Sequence, residues 1–334
     1  MSERVFTEAE LRVLATTPGD RAAAALDAGD LAKAGQIAAM SVNTHFFLMD
    51  NYLLWNLLTL GYIERVFGAT AVDDSVPASL RTIVRPWAEW FRNGVSREAV
   101  TSLAMIFRMD AGQLVAVDED ADKVVMVSPQ WAGTRADAVP GTPNLRIITT
   151  AIERLCCEWL GYPPFVFADG CGSAPLRLTI YKNPLDIPVE VFESLGVERN
   201  EERIAAAFDV SGALLFDDDE RDDLRFQAYA LAAKAIDSGD LERARRHLML
   251  SKTEWYLGHH FGRDLITAQL SWIVRNHGVQ HCWDAVHHCY TLPTIGPMLA
   301  QVDAMGYRDQ VQLLSTFFHQ HGMKFDAIDL CRGS

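Results

Sequence analysis

Cysteine is scarce in this chain. Six in 334 residues are too few for a disulfide framework, and the adjacent Cys156 and Cys157 sit on a helical pattern where free thiols pack as small core groups. Positive charge is also in short supply: 30 Lys and Arg stand against 44 Asp and Glu, a formal net charge of −14. That balance repels phosphate backbones and anionic lipid surfaces, so it argues against nucleic acid and membrane as partners. The longest apolar run, Phe46 to Ile63, is broken by Asp50, Asn51 and Asn56 and reads as a buried core helix, not a membrane span. The opening Met1-Ser2-Glu3-Arg4 leads into a polar pattern with none of the parts of a secretory signal, so a cytoplasmic protein is expected. Catalytic strings are missing too. There is no H-E-x-x-H, no paired C-x-x-C, no G-x-S-x-G elbow, and no glycine spacing of a P-loop or dinucleotide site, so nucleotide cofactors are not indicated.

What the chain does contain is one helical segment written twice. Residues 6–68 lie on 216–278 without a gap, pairing Phe6 with Phe216, Ala22 with Ala232, Ala25 with Ala235, Asp27 with Asp237, Ser41 with Ser251, Ile63 with Ile273 and Gly68 with Gly278. Gly29-Asp30-Leu31 falls on Gly239-Asp240-Leu241. One inserted residue then shifts the register, and Pro86, Arg97, Leu103 and Phe107 meet Pro297, Arg308, Leu314 and Phe318.

Each copy opens on a helix-start signal, Thr7 before Glu10 and Asp217 before Glu220, where a capping side chain precedes a glutamate by three residues. The acidic run Asp217 to Asp223 therefore suits the positive end of a helix dipole. An Ala-rich helix, the Gly-Asp turn and a long apolar helix follow. Further helices are predicted at about 79–93 and 96–110 in the first copy, and at 294–305 and 307–321 in the second. Thr17-Pro18-Gly19 breaks the opening helix of copy one, and the sequence predicts no such break in copy two.

Between the copies the texture changes. Residues 113–118, 122–129, 164–168 and 176–181 read as strands, Asn144 to Leu160 as a helix ending at Gly161, and a short helix is predicted near 200–207. The expected fold is mostly α with a small α/β unit: two homologous helical bundles, from internal duplication, flanking a compact insert. The segments are 1–112, 113–185, a connector at 186–215, and 216–334. Such a layout suggests repeats packed about a pseudo-twofold axis. The α/β unit, whose last strand ends in Tyr181-Lys182-Asn183-Pro184, resembles compact bacterial ligand-binding modules attached to helical bundles, such as vinyl-reductase-type domains and relatives of thiazoline-carboxylate hydrolase. That resemblance is one of fold and transfers no functional residues.

Histidine separates the copies. Copy one has His45 alone, whereas copy two has His247, His259, His260, His277, His281, His287, His288, His319 and His321. At helical spacing His281, Asp284 and His288 share one face, and His260 and Asp264 share another. Imidazole and carboxylate are ligands of zinc and non-haem iron, so these five residues are the candidate metal set. In the repeat register His260 stands where copy one has Asp50, and His321 where it has Asp110. Were the repeats face to face, these four would converge. His45 and Asp50 are candidates for proton transfer, and Cys171, on the turn Asp169 to Ser173, is a candidate nucleophile. The tryptophans, including Trp55, Trp87, Trp90, Trp255, Trp272 and Trp283, are expected in core packing.

The leading functional expectation is a metal-dependent enzyme, using Zn or Fe, that acts on a small organic molecule. The alternatives are a non-catalytic sensor or carrier with a small-molecule ligand at the α/β unit, and a structural or assembly subunit, with a homo-oligomer possible.

Overall fold

A glycine followed by an aspartate ends one helix and begins the next at two points in the chain. Gly29 and Gly239 adopt φ of 78° and 79°, a conformation that costs a residue with a Cβ atom. Their amides donate to Leu26 and Ile236, at 3.1 and 3.0 Å, and the following Asp30 and Asp240 amides donate to Ala25 and Ala235, both at 2.9 Å. The two aspartate carboxylates then accept from the amides of Lys33 and Arg243, capping the next helix.

The computed structural model describes residues 16–129, 145–169, 175–205 and 214–290. Over these the chain runs α1 (Pro18–Asp27), α2 (Leu31–Phe67), α3 (Ala69–Phe91), α4 (Arg97–Ala111), β1 (Ala116–Glu119), β2 (Lys123–Ser128), α5 (Arg146–Leu160), β3 (Val166–Asp169) and β4 (Leu176–Tyr181). A 3-10 turn at Pro184–Asp186 leads to α6 (Val189–Leu195), α7 (Glu201–Ala205), α8 (Asp218–Leu224), α9 (Ala228–Asp237), α10 (Leu241–His277) and α11 (Val279–Tyr290). The protein is thus mostly helical, with one small antiparallel sheet of order β1-β2-β4-β3. No helix among the described residues is long and apolar enough to cross a membrane.

The described chain divides into two compact units, one of 16–48 with 227–255, the other of 49–226 with 256–289. The first is built on small residues. Ala22, Ala25, Leu26, Ala34 and Ala38 pack with Tyr229, Ala232, Ala235, Ile236, Ala244 and Leu248 in one buried cluster, where alanines let helix backbones approach closely. Asp27 pairs with Arg245 at 3.0 Å, and Asp20 with Lys252, on the unit's exposed side.

In the second unit the sheet buries Val124, Met126, Leu178 and Ile180, with Val124 opposite Ile180 and Met126 opposite Leu178. Helix α5 turns Ile148, Ile152, Leu155 and Cys156 inward, and its buried Glu153 accepts the Phe167 amide of β3 at 2.7 Å. Burial pushes the Glu153 carboxyl up to about 7, against that hydrogen bond and the charge of Arg146. Both Cys156 and Cys157 are buried free thiols, with burial raising the Cys157 pKa to about 12. Arg108 is buried on α4 and donates to the Asp223 and Leu224 carbonyls, which meet the end of α8 with a positive charge.

One ion pair closes this unit. Lys182 and Glu119 side chains are both fully buried with Nζ and Oε1 2.8 Å apart. Lys182 also donates to the Asp120 carbonyl at 2.7 Å, while the Glu119 carboxylate accepts the amides of Leu215 and Phe216 at 2.6 and 3.1 Å. The pair therefore ties both β4 and the segment entering α8 to the edge strand.

Several sequence expectations meet their outcome here. Four strands form at the expected places in the order, β1 beginning at Ala116 and not 113 and β3 at Val166 and not 164, the helix closes at Gly161, and Asp217 and Glu220 make the reciprocal capping box. The corresponding box at Thr7 and Glu10, and the helices expected at 294–305 and 307–321, lie outside the described residues. Helix α3 begins at Ala69, ten residues before the predicted start at 79. Its early turns carry Val72, Val76 and Leu80 on one buried face, and that burial outweighs the breaking tendency of Pro77 inside the helix. Copy two does break its opening helix. Residues 225–227 separate α8 from α9 because the backbone there is drawn to the sheet side: Leu114 donates to Arg225 at 2.8 Å, and Gln113 bridges Phe226. Trp87 and Trp272 are buried as expected, but Trp283 is 60% exposed.

Replacing Lys182 with Met should destabilise the protein by up to roughly 3–5 kcal/mol, because it leaves the buried Glu119 carboxylate with only the Arg221 guanidinium, 3.9 Å away, as a counter-charge. Urea unfolding of K182M checks this, and an unchanged midpoint would refute it.

Candidate functional site

Of the sequence-predicted residues, His45, Asp264, His281 and Asp284 have side chains among those described, and each has its own surroundings. His45 is buried in the first unit, its ring 4.8 Å from that of Tyr229 and 4.5 Å from that of Trp255. Neither ring nitrogen meets a hydrogen-bond partner among the described residues. Burial holds the imidazole neutral, its pKa brought down to about 3. Asp50 lies on α2, but its side chain is outside the described set. Cys171 is outside the described residues altogether.

Of the candidate metal ligands, His260 on α10 and His288 on α11 have side chains outside the described set. Asp264 is half-buried and pairs with Arg263 at 3.0 Å. His281 is half-buried, its Nδ1 3.4 Å from the Tyr62 hydroxyl and its ring edge-on to Phe67 at 5.1 Å. Asp284 is exposed and accepts from Gln280 at 3.0 Å. Among the described residues no three His, Cys, Asp or Glu side chains are grouped to hold an ion. The four-residue convergence of Asp50, His260, Asp110 and His321 involves side chains outside the described set.

A concave site does exist in the second unit, between α3 and α5. It is a groove of about 310 Å³ lined by Asp73, Val76 and Pro77 on one wall and by Arg146, Thr150, Ala151, Arg154, Leu155 and Glu158 on the other, with Ile147 at its edge. That volume is at the lower end for small-molecule pockets. Val76, Ala151 and Leu155 are buried and form an apolar floor.

The walls differ in chemistry. Arg146, Thr150, Arg154 and Glu158 stand four residues apart and so form one ridge of α5. Glu158 is neutralised by Arg81 at 2.8 Å, which leaves that ridge net positive. Arg154 is oriented by donating its Nε to the Leu195 carbonyl at 2.7 Å. The α3 wall presents acceptors instead. Asp73 supplies a carboxylate, and Pro77, having no N–H, removes the helical donor that the Asp73 carbonyl would otherwise meet. Sequence reasoning passed over these residues, although the four-residue spacing of polar groups on α5 was a readable signal.

Compared with known proteins, the chain matches no family model, no curated protein and no solved structure. The resemblance of the α/β unit to bacterial ligand-binding modules gains no support from these comparisons.

The burial of His45 has a measurable consequence. The unfolded chain takes up a proton below pH 6.5, whereas the folded imidazole does so only near 3, so its effect on stability is absent above 6.5 and grows unfavourable as pH falls between those values. His45→Phe should remove this penalty. Relative to the parent protein the variant should gain about 2–3 kcal/mol on going from pH 7 to pH 4.5. Paired denaturant titrations at the two pH values test the difference, and parallel curves would refute it.

Proposed function

We propose that this protein binds a small organic molecule in the groove between α3 and α5, as a sensor or carrier. The observation that carries this reading is a groove with Arg146 and Arg154 on one wall, Asp73 on the other, and buried Val76, Ala151 and Leu155 in its lining. Such a cleft complements a small zwitterion with an apolar body: its carboxylate toward Arg146 and Arg154, its ammonium toward Asp73. The set of polar groups is small, and it suits orientation of one ligand more than chemistry on it.

We also infer that the helical part arose by duplication. In support, α1 and α9 span 18–27 and 228–237, α2 and α10 span 31–67 and 241–277, and α3 and α11 start at 69 and 279, so that each boundary recurs 210 residues on. Gly68 and Gly278, the glycines at the second junction, have φ of 92° and 93°.

A metal-dependent enzyme built on His260, Asp264, His281, Asp284 and His288, with Zn or Fe, is the competing proposal, and one set of measurements separates the two. Calorimetry with phenylalanine, hydrocinnamic acid and phenethylamine should give binding for the zwitterion and at least tenfold weaker binding for either singly charged analogue. Asp73→Asn and Arg146→Met should each weaken the zwitterion by about 10- to 100-fold, the worth of one charge-assisted hydrogen bond. Equal binding of all three compounds, or none, would overturn the assignment. Stoichiometric metal in the purified protein, lost on changing His281 and His288 to Ala, would favour the enzyme.

A further inference from the structure

Four pairs of residues separated by 210 positions touch each other, two pairs in each unit. In the first unit a Cβ atom on Gly19 would lie 3.2 Å from the hydroxyl of Tyr229, and the rings of His45 and Trp255 are 4.5 Å apart. In the second a Cβ on Gly262 would come within 2.7 Å of the Tyr52 ring, and Phe67 stacks on His277 at 3.6 Å with the planes 7° apart.

From this, and resting on the duplication proposed above, we propose that within each unit the repeats meet about a local twofold axis, and that the residues on it have diverged into unlike pairs, so that each repeat fits the other and no longer fits itself. Contact between equivalent residues is what a twofold interface produces, because groups near the axis reach their own counterparts. Two helices packed in parallel register would also give a constant offset along their length. Gly19 and Tyr229 lie on α1 and α9, while the other three pairs lie on α2 and α10, and the rotation that relates the segments distinguishes a twofold from a translation.

The chemistry at these positions is asymmetric in a consistent way. A homodimeric ancestor would have to pack one residue type against itself. Here the Tyr229 hydroxyl, beside Ser251 Oγ, lies against Gly19, and the Tyr52 ring fills the space opposite Gly262, so a tyrosine occupies volume that its equivalent glycine vacates. At His45 and Trp255, and at Phe67 and His277, rings of different chemistry face each other. Two copies of the first repeat would set Tyr52 against Tyr52, and two copies of the second would set Gly262 against Gly262, leaving a void. The surface on each repeat is therefore an interface whose partner is the other repeat of the chain.

Exchange of the pair in the full-length protein tests this. Tyr52→Gly should lower the urea midpoint by leaving a cavity, and Gly262→Tyr should lower it further or prevent soluble expression. The double variant, Y52G with G262Y, should regain at least half of the midpoint lost by the worse single change. A double variant as unstable as the sum of the singles, or insoluble like G262Y, would overturn the proposal. A crystal structure of the unmodified protein gives a second measure that depends on no variant folding. Residues 18–45 should superimpose on 228–255 through a rotation of about 180°. Segments that fail to superimpose would end the duplication reading itself, whereas segments that superimpose through a rotation far from 180° would end only the twofold.

Discussion

A lysine and a glutamate out of reach of water hold the second unit together. Glu119 lies on the edge strand β1, Lys182 immediately follows β4, and the Glu119 carboxylate also receives the Leu215 and Phe216 amides as the chain approaches α8. An ion pair at this depth adds little net stability over a well-packed apolar pair, but it imposes a strict condition, since either charge alone would be costly to bury. The strand edge, the end of the sheet and the entry to the second helical half must therefore assemble together. Arg108 imposes a similar condition nearby, its guanidinium meeting the carbonyls at the end of α8.

The candidate ligand groove follows from how that unit is packed. Helix α5 spends one face on the sheet, with Ile148, Ile152 and Cys156 inward and Glu153 fixed to Phe167. Its neighbouring ridge of Arg146, Thr150, Arg154 and Glu158 is left to face α3. Pro77 then acts twice, withdrawing a donor from the helix and shaping the opposite wall. In the first unit the constraint is different: small residues around Ala22, Ala34, Ala232 and Ala244 allow close helix packing, and His45 is enclosed between aromatic rings.

Much of the fold was legible because its signals are local. The Gly-Asp turns, the capping box at Asp217 and Glu220, the alternation in β2 and β4, and the stop at Gly161 each depend on residues a few positions apart. Errors arose where distant groups decide. Pro77 reads as a helix breaker until the burial of Val72 and Val76 is known, and the interruption before α9 comes from pairing with residues 113 and 114, more than a hundred positions earlier. The candidate site was less legible. A histidine count cannot distinguish an imidazole engaged by Tyr62 and Phe67, as His281 is, from one directed at a metal.

The amino-acid order alone determined the helical character, the sheet's strands, the turn glycines and the offset of 210 that relates the two helical segments. Those features are set by backbone stereochemistry and short-range hydrogen bonding, which act between near neighbours in the chain. Tertiary structure decided which residues 210 positions apart touch, that His45 is sealed from water, and that Asp73 and the pair Arg146 and Arg154 line one groove. Burial and the pairing of charge depend on what surrounds a side chain, and that neighbourhood exists only once remote segments have packed.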